Sequence, residues 1–152
     1  MIAAAAVAAV LAAAGSAAAQ DGAPVPYRTL ERDSGASSGY DVRATLVVRT
    51  KRRWRHVWSR LHAGVFPKPR RPRTDFRRST VIAVLGGSGT GRGLQVEAVT
   101  RDAGELRVRA VETRAGAGCV VPQVIVKPYE VVRVARTGAS VATTRIERVR
   151  DC

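Results

Sequence analysis

The sequence predicts a mainly β domain: an antiparallel β-sandwich or partly open barrel of about seven strands, with one short amphipathic helix. Three observations carry this. Short runs of β-branched and aliphatic residues recur along the chain, separated by turn residues at intervals of roughly 8–15 positions. Several runs alternate apolar and polar residues with the period-two pattern of half-buried strands. A single segment, 51–62, switches to the helical period. The chain is 45% hydrophobic but only 5% aromatic, so its core falls to Val, Leu, Ile and Ala.

Residues 1–19, MIAAAAVAAVLAAAGSAAA, carry no charge. The apolar run Ile2–Ala14 has the length of a signal-peptide core, and Ala17-Ala18-Ala19 before Gln20 fits a small-residue cleavage site. The basic residue usual after Met1 is missing. An uncleaved anchor is the rival, but alanine is weakly apolar and the run barely long enough to span a bilayer. A cleaved signal peptide is expected, making the protein periplasmic or secreted with no integral membrane span. Cleavage leaves about 130 residues, enough for one domain with one core.

Residues 20–41, rich in Gly, Pro and Ser around Tyr27–Leu30, predict a flexible N-terminal lead-in, and residues 42–152 the β domain. Val42–Arg49 is the first expected strand. Trp54, Val57, Trp58 and Leu61 then fall at i, i+3, i+4 and i+7, one apolar stripe on a helix. Thr50 is placed to cap its start and Gly64 its end. The two tryptophans are expected to plug the space between helix and sheet. Three prolines among Lys68, Arg70, Arg71 and Arg73 predict an exposed, extended basic loop.

Thr80–Leu85 is continuously apolar, as in a strand buried on both faces. A glycine loop follows at 86–93. Leu94–Ala98 and Leu106–Val111 alternate around an Asp102-Ala103-Gly104 turn, which predicts an antiparallel meander of these three strands. Arg114–Gly118 is a second flexible loop. Val120–Val126 is apolar around Pro122, which places it at an edge or bulge. Glu130–Ala135 and Thr143–Val149 complete the strands.

Catalytic chemistry is absent from the local patterns. Residues 86–93, Gly-Gly-Ser-Gly-Thr-Gly-Arg-Gly, approach the phosphate-binding G-x-x-x-x-G-K-[ST] loop but fail where that loop works. Arg92 replaces its lysine, Gly93 its hydroxyl, and a strand rather than a helix follows. His56 and His62, six apart, do not share a helix face as a chelating pair and have no acidic residue between them, so both are expected at the surface. Asp75 is expected in a turn or cap at a strand entry. No nucleophile with a base, no metal site and no cofactor site is expected, and the chain is not predicted to be an enzyme.

The net charge of +14 suits anionic surfaces. Only three basic residues are lysines, Lys51, Lys68 and Lys127; with the alanine excess this fits a GC-rich codon bias. An exported chain rarely meets nucleic acid as its purpose, so no nucleic-acid partner is expected. Export permits a disulfide between Cys119 and Cys152. That bond would close a loop of about 34 residues and contribute roughly 3–4 kcal/mol in the chain-entropy model. Two free thiols are the alternative.

Three segments carry a family resemblance: Asp75-Phe76-Arg77-Arg78-Ser79-Thr80-Val81-Ile82-Ala83-Val84, then Gly118-Cys119-Val120-Val121-Pro122-Gln123, then Lys127-Pro128-Tyr129-Glu130-Val131-Val132-Arg133-Val134. Their order and spacing resemble the C-terminal domain of the PrcB family of protease-complex subunits, over roughly residues 42–152. The terminal Asp151-Cys152 and the tryptophan-bearing segment resemble features seen there. The chain departs at the glycine loop, where Arg92-Gly93 stands in place of the family's Gly-Tyr. The resemblance implies a non-catalytic, exported partner-binding protein associated with a bacterial protease complex.

The expected partner-binding surface is formed by Gly87, Ser88, Thr90, Arg92 and Arg114, on loops carried by a rigid β scaffold, with 67–73 as a secondary patch. The glycine loop also faintly resembles the chagasin-type inhibitors, so a protease inhibitor is one alternative. Charge-driven binding to anionic cell-envelope polymers is the other.

Overall fold

The computed structural model describes residues 22–36 and 38–152. The expected signal peptide, 1–19, lies outside them. The described residues form β1 (Ala23–Pro24), β2 (Tyr27–Asp33), β3 (Arg43–Val48), α1 (Lys51–Leu61), β4 (Ser79–Gly86), β5 (Arg92–Asp102), β6 (Glu105–Ala115), β7 (Tyr129–Ala135) and β8 (Val141–Arg150). Two four-stranded sheets, β1-β5-β6-β8 and β2-β7-β4-β3, make a sandwich rather than a closed barrel. Every pairing is antiparallel except β6 with β8, which is parallel.

The apolar pattern of β4 explains the layering. Ile82 and Val84 face the other sheet and pack with Leu94, Val96, Leu106 and Val108. Val81, Ala83 and Leu85 point the opposite way, onto Trp54, Val57, Trp58 and Leu61 of α1. The strand is continuously apolar because both of its faces are covered. The molecule is therefore three layers: helix, sheet, sheet.

The Thr50 hydroxyl accepts from the Arg53 N–H and starts α1 as the sequence predicts. The helix ends earlier than Gly64: His62 is its C-cap, donating its backbone N–H toward Arg60 and Trp58 carbonyls. The tryptophans plug the helix–sheet layer and also hold the basic loop. The Trp58 indole N–H donates to the Pro69 carbonyl at 3.0 Å and that of Trp54 to Pro72 at 3.2 Å. The loop thus runs back along the helix that precedes it. Asp75 forms the expected turn at the entry to β4, accepting from the Arg77 N–H at 2.9 Å.

Three expectations need correcting. The segment expected as a lead-in holds β1 and β2, and β2 is an edge strand paired with β7. Its signal is hidden because Tyr-Arg-Thr-Leu-Glu-Arg-Asp is polar, and a bulge between Thr29 and Glu31 breaks the alternation. The expected meander of β4, β5 and β6 is only the β5–β6 hairpin. Because β4 is covered on both faces it sits between β7 and β3, and the glycine loop carries the chain across to the other sheet. The hairpin turns at Ala103 and Gly104, both at positive φ (46° and 81°), as a two-residue turn matching strand twist requires. Finally, Val120–Val126 is not a strand. Val126 alone pairs, in an isolated bridge with Gly89.

Candidate functional site

The structure brings the predicted loops together at one end of the sandwich. Gly89 and Val126 exchange backbone hydrogen bonds of 3.0 and 2.8 Å, and the Ala115 N–H donates to the Gly91 carbonyl at 3.1 Å. Gly87 is buried and Gly91 lies against the loop 116–128; both adopt positive φ (74° and 58°). A Cβ at Gly91 would meet Val121 Cγ1 at 3.1 Å. Both positions need glycine for conformation, and Gly91 also for close approach. Ser88 and Thr90 are exposed at the turn. Arg92 and Arg114 are cross-strand partners at the ends of β5 and β6, and Arg114 pairs with Glu147 of β8.

The part of this end not anticipated as binding surface is loop 116–128. It exposes Val120 completely, and Val124 and Ile125 by 53% and 59%. Its apolar composition suggests a buried strand; the signals against one are Pro122 and the flanking glycines. Cys119 is bonded to Cys152 with their Cα atoms 5.4 Å apart. The Gly116 N–H adds a 3.0 Å bond to the Arg150 carbonyl. The exposed apolar loop is thus pinned at one end by the disulfide and at the other by the bridge to the glycine loop. Basic loop 67–73 does not join this site; it lines the helix layer.

Two polar nodes sit behind the loop end, sent to opposite faces of one sheet by consecutive residues of β7. Glu130 is fully buried between the sheets. Its carboxylate accepts from Thr29 Oγ1 (2.8 Å), from Arg32 Nε and Nη2 (both 2.9 Å) and from the Val96 N–H (2.6 Å). Thr29 and Arg32 are an odd number of residues apart, and the β2 bulge puts both on the face of Glu130. Tyr27 donates to the Val96 carbonyl at 3.2 Å, so both backbone polar groups of that residue are held from the opposite sheet.

Tyr129 points to the helix layer. There it meets His62, which is buried, against the expectation of two surface histidines; His56 is exposed. The His62 Nδ1–H donates to the Trp58 carbonyl at 3.0 Å. Its Nε2 lies 2.9 Å from Glu31 Oε1 and 3.3 Å from the Tyr129 hydroxyl. The acidic partner comes from β2, too far along the chain for local spacing to reveal. This cluster ties the end of α1 to the sheet, with the His62 and Tyr129 side chains buried and Glu31 partly exposed.

Burial, with the negative charges of Glu31 and Asp33 added, raises the Tyr129 pKa well above its ordinary value. The native state then keeps this proton where the unfolded chain releases it. Stability is expected to hold up to about pH 10 and to fall above it, by at most about 1.4 kcal/mol per pH unit from this group. Urea midpoints measured through that range check this, and Tyr129→Phe should flatten the decline.

Among the described residues no three His, Cys, Asp or Glu side chains converge on a metal-sized site. No helix there is long and apolar enough to cross a membrane. After the glycine loop the chain enters β5, not a helix, so the phosphate-loop resemblance ends where the sequence indicates.

Two four-stranded sheets, one of them covered by a helix and with a stapled loop end, define a mainly β, sandwich-like fold. Residues 82–135, from β4 through β7, match the family model described as PrcB C-terminal, which supports the resemblance carried by the three motif segments. The matched span is narrower than the 42–152 of the motif resemblance and takes in the glycine loop, loop 116–128 and Tyr129-Glu130. No curated protein and no solved structure matches the chain.

Proposed function

We propose that the chain is an exported, non-catalytic accessory protein that binds a protein component of an extracellular or periplasmic protease complex through its loop end. The observation that carries this is loop 116–128: Val120, Val124 and Ile125 are open to water on a segment fixed by a disulfide and a backbone bridge. Exposed apolar side chains on a rigid loop offer binding area with little ordering cost. The family description supplies the link to a protease complex. The bond itself supports an oxidising compartment, together with the export-like residues 1–19. Hydrogen bonds from Gly89 to Val126 and from Ser88 to Asp41 hold the glycine loop against its neighbours, which favours a fixed docking face over an inserting inhibitor loop.

The test is affinity capture from the cognate envelope extract, with the wild-type chain and a Val120→Asp/Ile125→Asp variant. The wild type is expected to retain an exported protease or one of its subunits. The double variant should retain at least about tenfold less, as expected when two interface anchors are lost, while unfolding at the same urea concentration. Equal capture by both chains, or no protease component with either, would sink the proposal.

A further inference from the structure

The charge of this protein is concentrated on one layer. Twelve of the 26 lysines and arginines lie between Arg49 and Arg78, with only one of the twelve acidic residues. Among the described residues the one ion pair within that stretch is Arg78 with Asp75, at 4.0 Å. On the opposite sheet most arginines have carboxylate partners: Arg107 pairs with Asp102, Arg114 with Glu147 and Arg145 with Glu112, and Arg109 and Arg148 share Glu97. Among the described residues none of the nine lysines and arginines of α1 and of the loop that its tryptophans hold beside it (Lys51, Arg52, Arg53, Arg55, Arg60, Lys68, Arg70, Arg71 and Arg73) has an ion-pair partner. Every residue of α1 outside the stripe Trp54, Val57, Trp58 and Leu61 is exposed. At the N-terminal end of α1, four cations, Lys51, Arg71, Arg73 and Arg133, and one carboxylate, Asp75, line an open groove of about 600 Å³ with Trp54 and Phe76. Near its C-terminal end, next to Lys68, Phe66 stands 97% exposed.

Excess positive charge alone would suit any polyanion. A fully exposed phenylalanine on the same layer adds an apolar contact that an acidic polysaccharide does not match, whereas a bilayer offers both anionic headgroups and an acyl boundary. We infer that the α1 and basic-loop face docks on an anionic phospholipid membrane, with Phe66 entering the interface and the groove receiving headgroup phosphate. This surface is separate from the loop end proposed to bind protein, so membrane attachment would leave that end free.

The test is co-sedimentation of the full chain with vesicles of phosphatidylglycerol and phosphatidylcholine, and with vesicles of phosphatidylcholine alone. Binding is expected on the anionic vesicles only, weakening with added salt. Arg70→Ala/Arg71→Ala/Arg73→Ala should lower it on the order of a hundredfold. Phe66→Ser should lower it about tenfold, with the near-ultraviolet circular dichroism of both variants unchanged. Equal binding to neutral vesicles would assign the effect to residues 1–19 and overturn the inference. Unchanged vesicle binding by Phe66→Ser, with heparin competing fully, would overturn it in favour of a soluble polyanion. The Val120→Asp/Ile125→Asp variant should bind vesicles like the wild type. Loss of vesicle binding with partner capture intact would defeat this inference alone.

Discussion

Replacing Glu130 with alanine is expected to destabilise the protein by about 3–5 kcal/mol, the range for removing one partner of a buried ion pair. Four donors converge on the carboxylate, two on each oxygen. One of them, the Val96 N–H, belongs to the opposite sheet beside a bulge at Val96/Ala98, where the β5–β6 register shifts. Truncation leaves that N–H and the Thr29 hydroxyl without an acceptor inside the sandwich. Arg32 is half-exposed and can turn to water, so less of the cost falls on it. Glu130→Gln keeps the shape but can accept on one oxygen only and brings two donors of its own among donors. A loss of about 2 kcal/mol is expected, near the value of a charged hydrogen bond. Urea unfolding measures both, and the glutamine variant keeps the test readable if the alanine chain does not fold. A loss below about 1 kcal/mol for the alanine variant would mean the node does not clamp the two sheets.

How much of this was legible in the sequence depended on whether the signal was local. The helix and its start are visible, because Trp54, Val57, Trp58 and Leu61 repeat at 3.6-residue spacing and Thr50 precedes them, but its end is not. Strand β4 is visible too, since its unbroken apolar run matches burial on both faces. Strand β2 is not, because an edge strand whose side chains serve two polar nodes has no alternation to read. The glycines at 86–93 and 114–118 mark loops, but that the two meet at one end follows only from the pairing of β5 with β6. Val120–Val126 reads as a strand because exposed valines and isoleucine look like core until Pro122 is given its full weight. Apart from the local bond of His62 to Trp58, the nodes at Glu130 and His62 rest on contacts spanning from 31 to 101 residues, which no spacing rule reaches.

Trp54→Ala is expected to cost a further 3–5 kcal/mol or so by the measure of large-to-small core substitutions. Only 1% of Trp54 is exposed, and its ring meets that of Trp58 edge-on, with centroids 5.3 Å apart, so the cavity would open between helix and sheet. The same residue has a second task that Trp54→Phe isolates. Phenylalanine keeps most of the ring but removes the N–H that the Pro72 carbonyl accepts. That change should cost about 1 kcal/mol in urea unfolding, the net value of one hydrogen bond. It should also loosen the basic loop locally, where Arg71 and Arg73 border the groove over Trp54. Trypsin should then cut at Arg70 and Arg73 several times faster than in the wild type, under conditions where both chains remain folded. The physical reason is that loop 67–73 has three prolines and few backbone donors with which to build a ladder of its own. The Trp58 and Trp54 indoles fix it at Pro69 and Pro72, beside a hydrogen bond from Lys68 to Ser59 at 3.0 Å. An unchanged cleavage rate would show that packing alone positions the loop. A faster rate would make the tryptophan pair the element that couples the core to the charged surface, since the residues burying the helix also hold the arginines in place.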